Sequence, residues 1–350
     1  MHFVKNYKLF GAFFAAFVIG FVLAYRLYPA LQAKQPPPYR PPLIQLRAND
    51  HAQPKYSFIN PLLTCETRAT SPRSQLSRIL KPRLEKLINE AKRAQQTDQI
   101  SVYFDLRDGQ WMGLNTDEKY YPASMLKVPL MMAYFKMAEK DPGILEERLV
   151  FSAAPQNSEQ QYFPPAERLA AGKAYTVQEL ISRMIRYSDN QALDMLLARL
   201  PNLSPLMTVF TDLGLPLPGT DLQPAMDFMS VKLYAYFFRV LYNATYLNQE
   251  FSQEAMQLLS ATSFKEGITA PLPEGIAVAH KFGERTLPLS SATNQGAFQE
   301  LHDCGIVYNP QQPYLLCVMT KGTNPEVLAQ QIQAISKTVY DFIQNDWQAQ

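Results

Sequence analysis

Tyr121-Pro122-Ala123-Ser124-Met125-Leu126-Lys127-Val128-Pro129 is where the sequence changes period, and the fold follows outward from it in both directions. Just upstream, residues 100–106 and 110–114 are short β-prone runs on either side of Arg107-Asp108-Gly109. Asp-Gly supplies the positive-φ residues that a tight hairpin needs, so two antiparallel strands are expected. Ahead of them Leu76, Ile79, Leu80, Leu84, Leu87, Ile88 and Ala91 recur every three or four positions, the stripe of an amphipathic helix. Downstream, from about residue 124 to 273, helical spacing dominates, as in Leu180, Met184 and Ile185 or Tyr234, Phe237, Phe238 and Leu241. Strand-like runs then return at 276–282, 296–308 and 314–319, and Val327, Leu328, Ile332, Ile335, Val339, Phe342 and Ile343 close the chain with a second amphipathic helix.

That order does not alternate as βαβ units would. It predicts an α/β fold: a five-stranded antiparallel sheet flanked by N- and C-terminal helices, with an all-helical lobe inserted between the sheet's two halves. A cleft is expected where lobe and sheet meet.

The composition narrows the function. The chain has 350 residues, of which 47% are hydrophobic and 18% charged, enough apolar surface for a large core. Lysine and arginine exceed aspartate and glutamate by only 33 − 31 = 2, so nothing electrostatic points to nucleic acid. The four histidines and three cysteines match no zinc spacing, and no cofactor or metal is expected. Cys304 and Cys317 fall on neighbouring strands, where a bridge and two buried free thiols are both open readings.

The N-terminal part differs in kind. Residues 9–25 are uninterruptedly apolar, preceded by Lys5 and Lys8 and followed by Arg26. At 1.5 Å per residue such a run spans about 25 Å. It predicts an anchor with the body of the protein outside the cytoplasm, a cleaved signal being the alternative. Pro36-Pro37-Pro38 and Pro41-Pro42 then mark an extended spacer. The organisation is therefore 1–31 anchor or signal segment, 32–70 proline-rich stalk, and 71–350 folded domain, with a cell-membrane location or secretion after cleavage.

Three polar clusters could carry chemistry. Ser124 lies three residues before Lys127, which on a helix puts hydroxyl and amine on one face. A serine becomes nucleophilic when a neighbouring base takes its proton, and a desolvated lysine can be that base; a helix cap beside a solvated lysine is the plainer alternative. Tyr187-Ser188-Asp189-Asn190 either caps the following helix or offers Ser188 as a proton shuttle and Asn190 as a substrate contact, with Asp189 anchoring the loop. His280-Lys281-Phe282-Gly283 places a lysine on a strand, where it would hold down the pKa of Lys127 and attract an anion, while Gly283 lets a substrate backbone approach. Lys265-Glu266-Gly267 is a rival of the same pattern within a loop.

Ser124-x-x-Lys127, Ser188-Asp189-Asn190 and Lys281-x-Gly283, in this order, resemble the three motifs of the penicillin-recognising serine enzymes, most closely the class A β-lactamase-like group. The resemblance spans roughly residues 76–347. It implies an acyl-enzyme on Ser124, Lys127 as base, Ser188 as relay, Asn190 and Lys281 as substrate contacts, and an oxyanion hole using the nucleophile's N–H and one near Arg285. The substrate implied is a small molecule, a β-lactam or related amide or ester, or a peptidoglycan-type substrate. Two departures stand out. No acidic residue after Asn190 matches the family's deacylating glutamate, and Phe282 replaces the usual hydroxyl of the third motif. A slowly deacylating penicillin-binding or D,D-peptidase-like protein, or a non-catalytic cell-wall-binding relative, is the alternative to a hydrolase.

Overall fold

The computed structural model describes residues 56–61, 74–106, 109–152, 162–164, 168–217, 227–287 and 298–347, all within the unit Ala52–Gln350. The expected anchor at 9–25 and nearly all of the stalk at 32–70 lie outside the described residues. Among the described residues no helix is long and apolar enough to cross a membrane.

A wide helical turn, Leu76–Leu80, leads into α1 (Lys81–Arg93), followed by the hairpin β1 (Gln99–Asp105) and β2 (Trp111–Leu114). The lobe comprises α2 (Lys127–Ala138), the short pair β3 (Arg148–Val150) and β4 (Ala174–Thr176), then α3 (Val177–Arg186), α4 (Asn190–Arg199), α5 (Ser204–Asp212), α6 (Val231–Tyr242) and α7 (Gln249–Ser260). The chain returns to the sheet as β5 (Val278–Leu287), β6 (Phe298–Val307) and β7 (Tyr314–Gly322) and ends in α8 (Pro325–Asn345).

The main sheet is ordered β2-β1-β7-β6-β5 and every neighbouring pair is antiparallel, as the element order predicts. Side chains alternate across it. Val102, Phe104, Leu316 and Val318 face α1 and α8, where they meet Leu84, Ile88, Ile332, Val339 and Phe342. Tyr103, Cys304, Ile306, Cys317 and Met319 face the lobe. At its centre lies α2, buried from Lys127 to Phe135 on every side, which is why its sequence is apolar all round rather than striped.

Two local features differ from expectation. Ser124 sits in a 3-10 turn, Ala123–Leu126, and the α-helix begins only at Lys127, which puts Pro129 in its first turn. The β3–β4 pair is new, since three-residue strands carry too little alternation to be read from sequence. Cys304 and Cys317 stand opposite each other on β6 and β7, their Cα atoms 4.0 Å apart, and form a disulfide.

Candidate active site

The turn carrying Ser124 is pinned from three sides. Ala123, directly after Pro122 in the right-handed helical region, takes a left-handed φ of 51°, an uncommon conformation for a residue with a Cβ. Met125 N–H closes the turn on the Pro122 carbonyl at 3.0 Å, and the buried Tyr234 hydroxyl of α6 donates to the Met125 carbonyl at 2.8 Å. On the third side is Gly283 of β5: a Cβ there would overlap the Pro122 carbonyl and the Met125 side chain. The glycine therefore admits the turn that carries Ser124 against the strand, a closer partner than the substrate backbone expected from sequence.

Lys127 binds four oxygens. Its Nζ lies 3.1 Å from Ser124 Oγ, 2.7 Å from the Ser188 carbonyl, 3.1 Å from Ser188 Oγ and 2.6 Å from Asn190 Oδ1. Burial brings its pKa down to about 7, opposed by the carboxylates of Asp189, Asp194 and Glu284. The acceptor set decides what the neutral form can do. A neutral amine has two N–H groups and one lone pair. The carbonyl oxygens of Ser188 and Asn190 can only accept, so they take the two N–H groups, and the lone pair is left for a hydroxyl.

The second cluster satisfies both of its readings at once. Asp189 is the N-cap of α4, accepting from Gln191 N–H at 2.9 Å and Ala192 N–H at 3.3 Å, and Arg183 Nε holds its other oxygen at 3.3 Å. The cap fixes its two neighbours on the far side of the turn. Ser188 is buried in a left-handed conformation, φ 55°, and Asn190 opens the helix with its amide at Lys127.

Lys281 reaches the same point from the sheet, donating to Ser188 Oγ at 3.0 Å and to the Phe282 carbonyl at 2.9 Å. It is fully buried, and burial followed by the charge of Lys127 holds its pKa well below the ordinary range. The Ser188 hydroxyl is thus shared by two amines. Phe282 turns its ring to the α8 side, stacked on Phe264 with centroids 4.0 Å apart, and the Lys281 ammonium lies 4.2 Å from its ring centre. Lys265 lies in the loop after α7 and makes none of these contacts.

β5 is the edge strand, and its parity identifies the groups on the open side. The His280 carbonyl accepts from Thr262 Oγ1 and the Phe282 carbonyl from Lys281 Nζ, so this alternate set points away from β6. In an antiparallel strand the N–H and C=O of one residue point the same way, and that way alternates. Glu284 continues the set, and its N–H faces the open edge. Arg285 belongs to the other set. Its guanidinium lies 4.7 Å from the centre of the Tyr121 ring and joins Asp227 (3.4 Å) and Glu300 (3.6 Å), while Lys321 pairs with the same two carboxylates at 2.7 and 3.1 Å. This network ties the segment before α6 to the lobe face of the sheet, and it is where the structure places Arg285. Glu284 and Tyr234 were not legible as site neighbours in the sequence; the strand parity of Glu284 was the one signal present. Ser124, Lys127, Ser188, Asn190, Lys281 and Gly283 are all brought together. Ser124 and Asn190 remain partly exposed while both lysines and Ser188 are buried.

Among the described residues no group of three or more His, Cys, Asp or Glu side chains is placed to hold a metal ion.

Solved structures share the architecture. One titled as the structure of PBP-A aligns over 76% of this chain and 97% of its own with a TM-score of 0.61 at 23% identity. A class A β-lactamase from Bacteroides cellulosilyticus aligns over 77% and 100%, TM-score 0.64, at 19% identity, and one from Mycobacterium abscessus over 73% and 97%, TM-score 0.60, at 21%. At these identities the likeness is one of fold, that of the β-lactamase-like serine hydrolases. No curated protein sequence matches the chain. A family model described as the beta-lactamase enzyme family matches residues 80–343, three quarters of the chain, and this chain belongs to that family.

Proposed function

We propose that the protein is a serine hydrolase acylated at Ser124 by a β-lactam or a related amide or ester. One observation carries the reading: the Lys127 amine, buried with a pKa near 7, has carbonyl oxygens to take both N–H groups of its neutral form, which leaves its lone pair for the hydroxyls of Ser124 and Ser188, each 3.1 Å away.

The steps follow from the geometry. Neutral Lys127 takes the Ser124 proton as Oγ attacks the substrate carbonyl carbon. The developing oxyanion is met by the N–H groups of Ser124 and Glu284, both fixed before substrate arrives. Lys127, now an ammonium, passes a proton through Ser188 Oγ to the leaving nitrogen or oxygen, the C–N or C–O bond breaks, and Ser124 is left as an ester. Lys281, bonded to the same hydroxyl, holds the relay in place. Water then cleaves the ester: its oxygen bonds the acyl carbon, the C–Oγ bond breaks, and its proton passes to Ser124 Oγ, restoring the hydroxyl beside a neutral Lys127.

The same reading keeps residues 9–25 as an anchor, 32–70 as a stalk, and the domain outside the cytoplasm. The cross-strand disulfide suits an oxidising compartment. The test is covalent labelling of the full-length protein with a fluorescent penicillin and with a fluorophosphonate, followed by peptide mass spectrometry. An adduct on Ser124 that disappears in Ser124→Ala supports the proposal; no adduct with either probe removes it.

A further inference from the structure

Glu284 follows Gly283 on β5, and its side chain, like that of Phe282, points to the α8 face of the sheet. Its carboxylate is bound by a segment from elsewhere. Phe163 N–H lies 3.1 Å from Oε1 and 3.3 Å from Oε2, and the Tyr162 amide also acts on the carboxylate. The Phe163 ring packs edge-on to Phe264 at 4.9 Å and to Phe282 at 6.1 Å, and the Tyr162 hydroxyl bonds Glu326 in the first turn of α8.

The path of the chain gives these contacts their meaning. Phe151, just after β3, is buried in the core on the lobe side of the sheet, whereas Phe163 packs in the core on the α8 side. Phe163 is fastened on the α8 side of β5, the edge strand, through the side chain of Glu284, the residue whose N–H faces outward. A bicyclic lactam needs the open edge only at Glu284. An extended peptide lying along β5 must also pair with the next outward-facing residue, Thr286, about 7 Å further on, past the point where Phe163 is fastened.

We propose that Tyr162 and Phe163 form a latch over the outer edge of β5, and that Phe163 and Glu284 are specificity-determining residues that admit compact acyl donors and exclude extended peptide strands. This rests on acylation of Ser124. The latch itself is a property of the resting protein and is measurable without any substrate.

The experiment compares the full-length protein with the double variant Tyr162→Phe/Phe163→Ala and with Phe163→Leu, which retains apolar bulk. Second-order acylation of Ser124 is measured with a fluorescent penicillin and with a five-residue peptide thioester. The expected result is a rise of about tenfold for the peptide in the double variant, the value of one lost charge-assisted contact, with a much smaller change for penicillin and an intermediate effect for Phe163→Leu. Equal changes for both probes overturn the proposal. Amide hydrogen exchange of residues 280–287 reads the latch without substrate: faster exchange at Glu284 in the double variant is expected, and unchanged exchange there overturns the latch even where Ser124 is labelled. If neither probe labels Ser124 while exchange at Glu284 rises, the latch stands and the acylation reading falls.

Discussion

The amine of Lys127 rests 2.6 Å from the side-chain oxygen of Asn190, the shortest of its four bonds and the one that crosses from α2 to α4. Replacing that neutral oxygen by a carboxylate, Asn190→Asp, puts a negative charge against a buried amine and raises the amine's pKa. The pH midpoint of Ser124 acylation should then move upward by at least about one unit, with a rate loss near pH 7 that is recovered at higher pH. Stopped-flow labelling across pH measures it; a uniform loss at every pH means that Asn190 acts only on substrate.

In the unaltered protein, acylation should rise as pH increases through about 7, because the proposed base is the neutral form of Lys127. Stability carries the same signature. An unfolded chain holds its lysine protons up to about pH 10. Lys127 and Lys281 have lost theirs at lower pH, so the unfolded state binds more protons in the interval and unfolding free energy climbs with pH from about 7 to about 10. Denaturant titrations of Lys127→Met should show a flatter slope in that window.

Gly283→Ala should cost about 1–3 kcal/mol in chemical denaturation and should slow acylation more than that loss of stability alone explains. The added methyl presses on the Pro122 carbonyl and displaces the turn that aims Ser124. Normal labelling by an alanine variant would show that the turn tolerates the shift.

His302 sets an acid limit. Thr320 N–H donates to its Nδ1 at 3.2 Å, so Nε2 carries the proton and donates to the Tyr121 carbonyl at 3.1 Å. Burial brings its pKa down to about 4. Between the ordinary histidine value of about 6.5 and that figure, the unfolded chain takes up a proton that the folded chain refuses, so stability falls as pH falls through this range, by on the order of 3 kcal/mol in all. His302→Gln should remove much of that dependence.

Most of the fold was legible because periodicity is a property of whole segments. The stripe through Leu84 and Ile88, the apolar run of β7 and the Asn309–Pro313 break between strands each reflect a buried face or a turn that tolerates few alternatives. Legibility ended where a residue's role depends on contacts distant in sequence. Asp189 reads as a cap, and it is one; that the cap orients Ser188 and Asn190 toward Lys127 becomes evident only when α2 is placed alongside. Gly283 reads as room for substrate, whereas the crowding comes from Pro122, far away in sequence. Arg285 and Glu284 differ by one position, and the parity that separates them is set by which side of β5 pairs with β6.

The open side of β5 also bears on how the molecule behaves in a crowd. A strand with unpaired amides and carbonyls on its flank can be lengthened by any neighbour that offers another strand, including a second molecule of the same kind. Here the flank carries Lys281 folded against the Phe282 carbonyl, with the rings of Phe163 and Phe282 packed alongside. If the proposed latch holds, selectivity for a compact acyl donor and resistance to edge-to-edge pairing have a common origin, a sheet border that admits a ring and refuses a whole strand.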